Sequence, residues 1–146
     1  MHDTAVAPSA AAPSSSSAAR RMVGVIIGWL LSVPVLLSFG FYAWSATQAD
    51  LREVTGPWIV GAVVVFAVHL IGLAVQSALL LRARASSKTV WLACLCASLL
   101  FCALATGRGV ATVPGFGLTG IFAWPHWAFA AILFILNRPT SLRSGA

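Results

Sequence analysis

Apolar and polar positions in this chain fall into long blocks. Four stretches, roughly 22–46, 57–81, 89–106 and 117–136, consist almost wholly of apolar and small residues, with short polar segments between them. At about 1.5 Å rise per residue, a helix of about 20 residues measures about 30 Å, the thickness of a bilayer's hydrocarbon core. The run Trp58–Leu81, 24 residues without a charged side chain, is the clearest of the four. In lipid, every backbone N–H and C=O must be satisfied within the chain, which blocks of this length achieve as helices. The pattern predicts an all-α integral membrane protein, a bundle of four transmembrane helices.

The intervening residues set the expected boundaries. Residues 1–20 are mainly Ala, Ser and Pro; they cannot bury enough surface to offset their ordering entropy, which predicts a disordered tail. Arg20 and Arg21 precede the first apolar block, an arrangement a signal peptide shares, and Thr47-Gln48-Ala49 is a passable cleavage site. The block is far longer than a signal h-region of about 7–15 residues, so an uncleaved span is expected. Pro34 should kink it. Thr47–Gly56 reads as a polar loop, with Pro57 in the first turn of the second span. Arg82–Lys88 is a short basic turn, Gly107-Arg108-Gly109 ends the third span, and residues 110–116 read as an interfacial loop. The fourth span carries Pro125 as an expected kink and ends at Asn137-Arg138-Pro139; residues 139–146 form a short basic tail. Domain 21–138 is thus the membrane unit.

Charge gives a direction. Arg20, Arg21, Arg82, Arg84, Lys88, Arg138 and Arg143 fall on one side of the predicted topology, and only Arg52 and Arg108 on the other. The positive-inside rule then places both termini in the cytoplasm of a cell bounded by a plasma membrane, here a bacterial inner membrane. Trp44 and Trp58 fall at the outer interface and Trp91 at the inner one. Of 146 residues, 60% are hydrophobic and 8% charged. A soluble domain carries about 25% charged residues, so this chain is short of the surface that water requires. The net charge of +6 is dispersed in the short segments. It fits topology and anionic lipid head groups and argues against nucleic acid.

Candidate chemistry is confined to the spans. Trp58, Ala62, Val65, His69, Gly72, Gln76 and Leu79 share one stripe of the second span. A stripe that gathers His69 and Gln76 faces the bundle interior, because a polar group facing lipid is costly. His126 lies near the middle of the fourth span, so the two imidazoles are expected at similar depth. Such a pair has three readings: hydrogen bonding to a neighbouring helix, with Ser32, Ser38 and Ser98 available; ligation of a b-type haem or a metal; or a polar site for a solute, a quinone or a proton. Should the fourth helix instead begin at Trp124-Pro125, His126 would move to the outer interface and the pairing would fail.

Gly24, Gly28 and Ser32, and likewise Cys94, Ser98, Cys102 and Thr106, form small-residue ridges at four-residue spacing that let helices approach closely; Gly72 adds a further small position. The cysteines Cys94, Cys96 and Cys102 read as packing residues, since their helical spacing permits neither a disulfide nor a zinc site. No Asp, Glu, Lys or Arg lies inside a span, which removes a membrane carboxylate as a coupling site. The polar segments are too short for a catalytic domain, so no enzyme is expected, and no cofactor beyond the haem alternative. The function expected is that of an accessory or assembly subunit working through helix–helix contacts, as a homo-oligomer or with a membrane-protein partner. The alternatives are a haem or metal protein using His69 and His126, and an oligomeric transporter of a small neutral or weakly basic solute.

Overall fold

The computed structural model describes the backbone of residues 15–45, 49–106 and 123–142, and side chains at 17–41, 44, 60–105 and 123–141. Among the described residues the fold is all-helical, with no strand. It comprises α1 (Ser15–Ser45), α2 (Ala49–Leu81), α3 (Lys88–Thr106) and α4 (Trp124–Leu136), then a 3-10 turn at Thr140–Leu142. Ser17–Phe41, Val60–Leu81 and Lys88–Ala105 are each long and apolar enough to cross a membrane. α4, at 13 residues, measures about 20 Å and is shorter than a bilayer core.

Three boundaries differ from the sequence pattern. α1 begins at Ser15, so Ser15–Arg20 of the expected tail are helical; once the apolar span has nucleated a helix, adding Ala and Arg residues costs little. α2 begins at Ala49, which replaces most of the expected loop Thr47–Gly56 and leaves Pro57 inside the helix. Asp50 near its start and the helix formers Leu51, Arg52 and Glu53 favour that extension. α4 begins at Trp124 with Pro125 in its first turn, where a missing N–H is no loss, so Pro125 starts the helix instead of kinking it. Residues 1–14, 107–122 and 143–146, including Arg108 and Arg143, lie outside the described residues.

Packing fixes the helix directions. Phe39 stacks on Phe66 near one end of the bundle, and Trp29 donates its indole N–H to Ser77 toward the other. α1 therefore runs opposite to α2, and so does α3, whose Phe101 packs on Phe66 and whose Cys94 meets Gly72. α4 runs with α2, because His126 meets His69 and Asn137 meets Gln76.

Side chains stack in four layers along this axis. The first is apolar: Val35, Phe39, Phe66, Phe101, Ala105 and Ala123. The second holds Ser32, His69, Ser98 and His126, all buried. The third is apolar again, with Leu73, Phe129, Ala130, Leu133 and Phe134. The fourth joins Gln76, Ser86 and Asn137 at the end where α2 turns into α3. That turn is closed by Arg84 N–H on the Leu79 carbonyl and Ala83 N–H on the Leu80 carbonyl. It places Ala83 at φ 51°, a left-handed position glycine usually takes. Ser87 then caps α3 by accepting from the Val90 N–H.

Polarity is arranged inside out relative to a protein in water. Leu30, Leu37, Ile71 and Ile135 are each 64–69% exposed, while His69 and His126 are fully buried. Water would strongly disfavour apolar surface this continuous; lipid accommodates it.

Candidate functional site

Each helix contributes one residue to the second layer. Ser32 is brought inward on α1 because Gly28, a turn earlier, lets that helix approach α4: a Cβ at Gly28 would overlap the Phe129 ring. Ser98 is brought to α2 by the Gly72–Cys94 contact, where a Cβ on Gly72 would lie 3.3 Å from that of Cys94. His69 sits on the inward stripe of α2. His126 sits in the first turn of α4, beside the Ala123 end of the upper apolar layer.

The polar atoms form one continuous chain. Ser98 Oγ is 2.9 Å from His69 Nδ1. His69 Nε2 is 2.7 Å from His126 Nε2. His126 Nδ1 is 2.7 Å from Ser32 Oγ, and Ser32 Oγ donates to the Gly28 carbonyl at 2.9 Å. That last bond fixes the direction of all the others. Because the Ser32 proton is committed to Gly28, Ser32 accepts from His126 Nδ1–H. A neutral His126 then has a bare Nε2, which accepts from His69 Nε2–H, and the bare His69 Nδ1 accepts from the Ser98 hydroxyl. Reversing the chain would break the Ser32–Gly28 bond and leave the Ser98 proton without an acceptor. Only the first arrangement satisfies every donor, and an unsatisfied buried donor costs about 1–3 kcal/mol. A proton added to His126 Nε2 would set two N–H groups against each other across the 2.7 Å contact, and one added to His69 Nδ1 would displace the Ser98 proton from its acceptor.

The surroundings hold the rings in place. Phe101 stacks on His69 at 4.6 Å between ring centres and meets His126 edge-on. The apolar layers seal the chain above and below, so a solute path through the bundle would require both to open. Two nitrogens holding one metal at about 2.0–2.1 Å lie about 3.4 Å apart at a tetrahedral angle and about 4 Å apart when opposed. At 2.7 Å the two Nε2 atoms are at hydrogen-bond distance and closer together than two ligands of one metal. Among the described residues, no group of three His, Cys, Asp or Glu side chains could hold a metal.

The pairing thus holds although α4 begins at Trp124, against the sequence argument that a start there would move His126 to the interface. The other candidate residues divide. Gln76 is buried, its carbonyl and side-chain oxygens accepting from Asn137 Nδ2 at 2.8 and 3.1 Å, and its own amide reaches Ser86 at 3.4 Å. Gly28, Ser32, Gly72, Cys94 and Ser98 lie at helix contacts, and Cys102 is half-buried. Gly24 does not: a Cβ there would meet nothing within 4 Å. Ser38 donates to the Pro34 carbonyl of its own helix. Trp91 donates its indole N–H to the Phe134 carbonyl and so ties α3 to α4. Asn137 and Ser86, which complete the fourth layer, and Phe101, which packs on both histidine rings, did not stand out in the sequence. Asn137 is the one with a signal: it is the only amide just beyond the last apolar residue of a span. No family model, no curated protein and no solved structure matches the chain.

Proposed function

We propose that the chain is a small multi-pass protein of the plasma membrane, a bacterial inner membrane, with both termini cytoplasmic. It is a non-enzymatic accessory or assembly subunit that works through its outer helical surface, on copies of itself or on a membrane-protein partner. The observation that carries this reading is the closure of the His69–His126 chain: every donor of that chain is spent within the bundle. The interior is built as a lock between four helices, so recognition is left to the outside.

Two further features support it. Arg20, Arg21, Arg82, Arg84, Lys88 and Arg138 gather at the Gln76–Asn137 end of the bundle, which favours that end for the cytoplasmic face. Gly40 and Gly61 are exposed on helix surfaces with nothing within 4 Å of a Cβ position, which leaves backbone open to close approach by another helix. The test is crosslinking in the native membrane, followed by the mass of the purified protein in detergent. An adduct or an oligomer is expected. A lone monomer that crosslinks to nothing overturns the reading.

A further inference from the structure

Between α1 and α4 an elongated cavity of about 520 Å³ opens on the side of the bundle. Its walls are apolar, with Ile27 and Leu31 on α1, Ile132 and Leu136 on α4, and Leu80 of α2 behind them. The floor is low because α1 presents Gly24 there, with nothing within 4 Å of its Cβ position. Arg20 and Arg21 line its mouth at the basic end of the bundle. The Arg21 Nε is buried and has no hydrogen-bond partner among the described residues. From Arg21 to Leu31 the groove follows about ten residues of helix, about 15 Å, which is half of a hydrocarbon core.

We propose that this groove binds an anionic phospholipid of the cytoplasmic leaflet, its acyl chain along Gly24, Ile27 and Leu31 and its phosphate on Arg20 and Arg21. The inference rests on the reading of the chain as a membrane protein with its basic end inward. The chemistry is complementary at both ends. A narrow apolar slot one leaflet deep accepts an alkyl chain. The Arg21 guanidinium, whose Nε has no partner among the described residues, can donate to a phosphate oxygen, for which its fork of donors is suited. A zwitterionic lipid fills the same slot but brings its own cation to the two arginines, so the anionic lipid is favoured by roughly fivefold per arginine.

The full chain, purified in neutral detergent, is exposed to equimolar phosphatidylglycerol and phosphatidylcholine, and retained lipid is read by native mass spectrometry. Phosphatidylglycerol should be retained in excess, and Arg20→Ala/Arg21→Ala should abolish the preference. Gly24→Phe, at a position with open space around it, should fill the slot and lower retention of both lipids. Equal retention of the two lipids, or retention unchanged by Gly24→Phe, overturns the proposal. Displacement by millimolar inorganic phosphate would assign the arginines to free phosphate instead, and loss of a dimer in Gly24→Phe with lipid unchanged would assign the groove to a second copy; both overturn it. Release of the chain from membranes by alkaline wash would overturn the membrane reading itself, and this proposal with it. Failure of the lipid test alone, with the chain retained in the membrane, overturns only the lipid.

Discussion

His69 and His126 face each other Nε2 to Nε2 at 2.7 Å, from helices that run the same way, and each turns its other ring nitrogen to a serine on a third and a fourth helix. The contact can hold only one proton. From that constraint, and from the commitment of Ser32 to Gly28, follow the tautomers of both rings.

Removing one ring should therefore cost more than removing both. His69→Leu leaves His126 Nε2 and the Ser98 hydroxyl buried without partners, and each such group costs about 1–3 kcal/mol. In the double variant His69→Leu/His126→Leu the shared bond is absent from both sides. Thermal unfolding in detergent should show a coupling of about 0.5–3 kcal/mol between the two substitutions. Simple additivity would mean that the rings do not bond to each other.

The two serines should respond differently. In Ser98→Ala the chain keeps its direction, since only the bare His69 Nδ1 loses its partner. In Ser32→Ala an N–H would be orphaned, and buried N–H groups go unpaired more rarely than acceptors do. The chain should then reverse, with His126 carrying its proton on Nε2 and His69 on Nδ1, because the donor left over passes from a fixed ring N–H to the Ser98 hydroxyl, which can rotate. Nitrogen chemical shifts of labelled histidine report this directly; identical tautomers in the two variants would refute the proton assignment.

Gly28 and Gly24 lie one turn apart and should behave oppositely. Alanine gains about 1 kcal/mol of helix propensity over glycine. At Gly28 that gain is outweighed by overlap with the Phe129 ring, for which overpacking costs about 1–3 kcal/mol. Gly28→Ala should lower the melting temperature, Phe129→Leu should recover part of the loss, and Gly24→Ala should be neutral or mildly stabilising. A Gly28→Ala protein as stable as the parent would mean that α1 and α4 pack more loosely than described.

The directions of α1 and α4 place the described ends of the chain, Ser15 and Leu142, at one end of the bundle. Under the proposed topology, protease-sensitive tags on both termini should be protected in intact cells and cleaved together once the membrane is opened. Tags cleaved from opposite sides would contradict the topology.

What the sequence makes legible here is set by energetic scale. The spans stand out because each sums the preference of some 20 residues for one solvent. The inward stripe of α2 stands out because His69 and Gln76 are costly to place in lipid; in the structure both are fully buried and Ala62, Val65 and Leu79 are half-buried beside them. Ser32 and Ser98 are recognisable as hydrogen-bonding candidates for the same reason. Helix ends are less legible, because one residue more or less of helix changes the energy little. Pro125 serves equally as a kink or as a first-turn residue, and the sequence argument tied the depth of His126 to that choice. In the structure α4 is anchored from its far end, by Asn137 on Gln76, so His126 reaches His69 wherever the helix begins. Nor does four-residue spacing distinguish Gly24 from Gly28; only the crossing of α1 and α4 makes one a contact and the other the floor of a groove.

The central claim is that the bundle is locked by two neutral imidazoles sharing one proton. Nuclear magnetic resonance of the reconstituted protein, with nitrogen-15 histidine, measures it most directly. The account predicts protonated Nε2 on His69, protonated Nδ1 on His126, and a nitrogen–nitrogen coupling across the hydrogen bond between the two Nε2 atoms. Two like tautomers with no coupling, or ring nitrogens shifted by a bound haem iron, would contradict it.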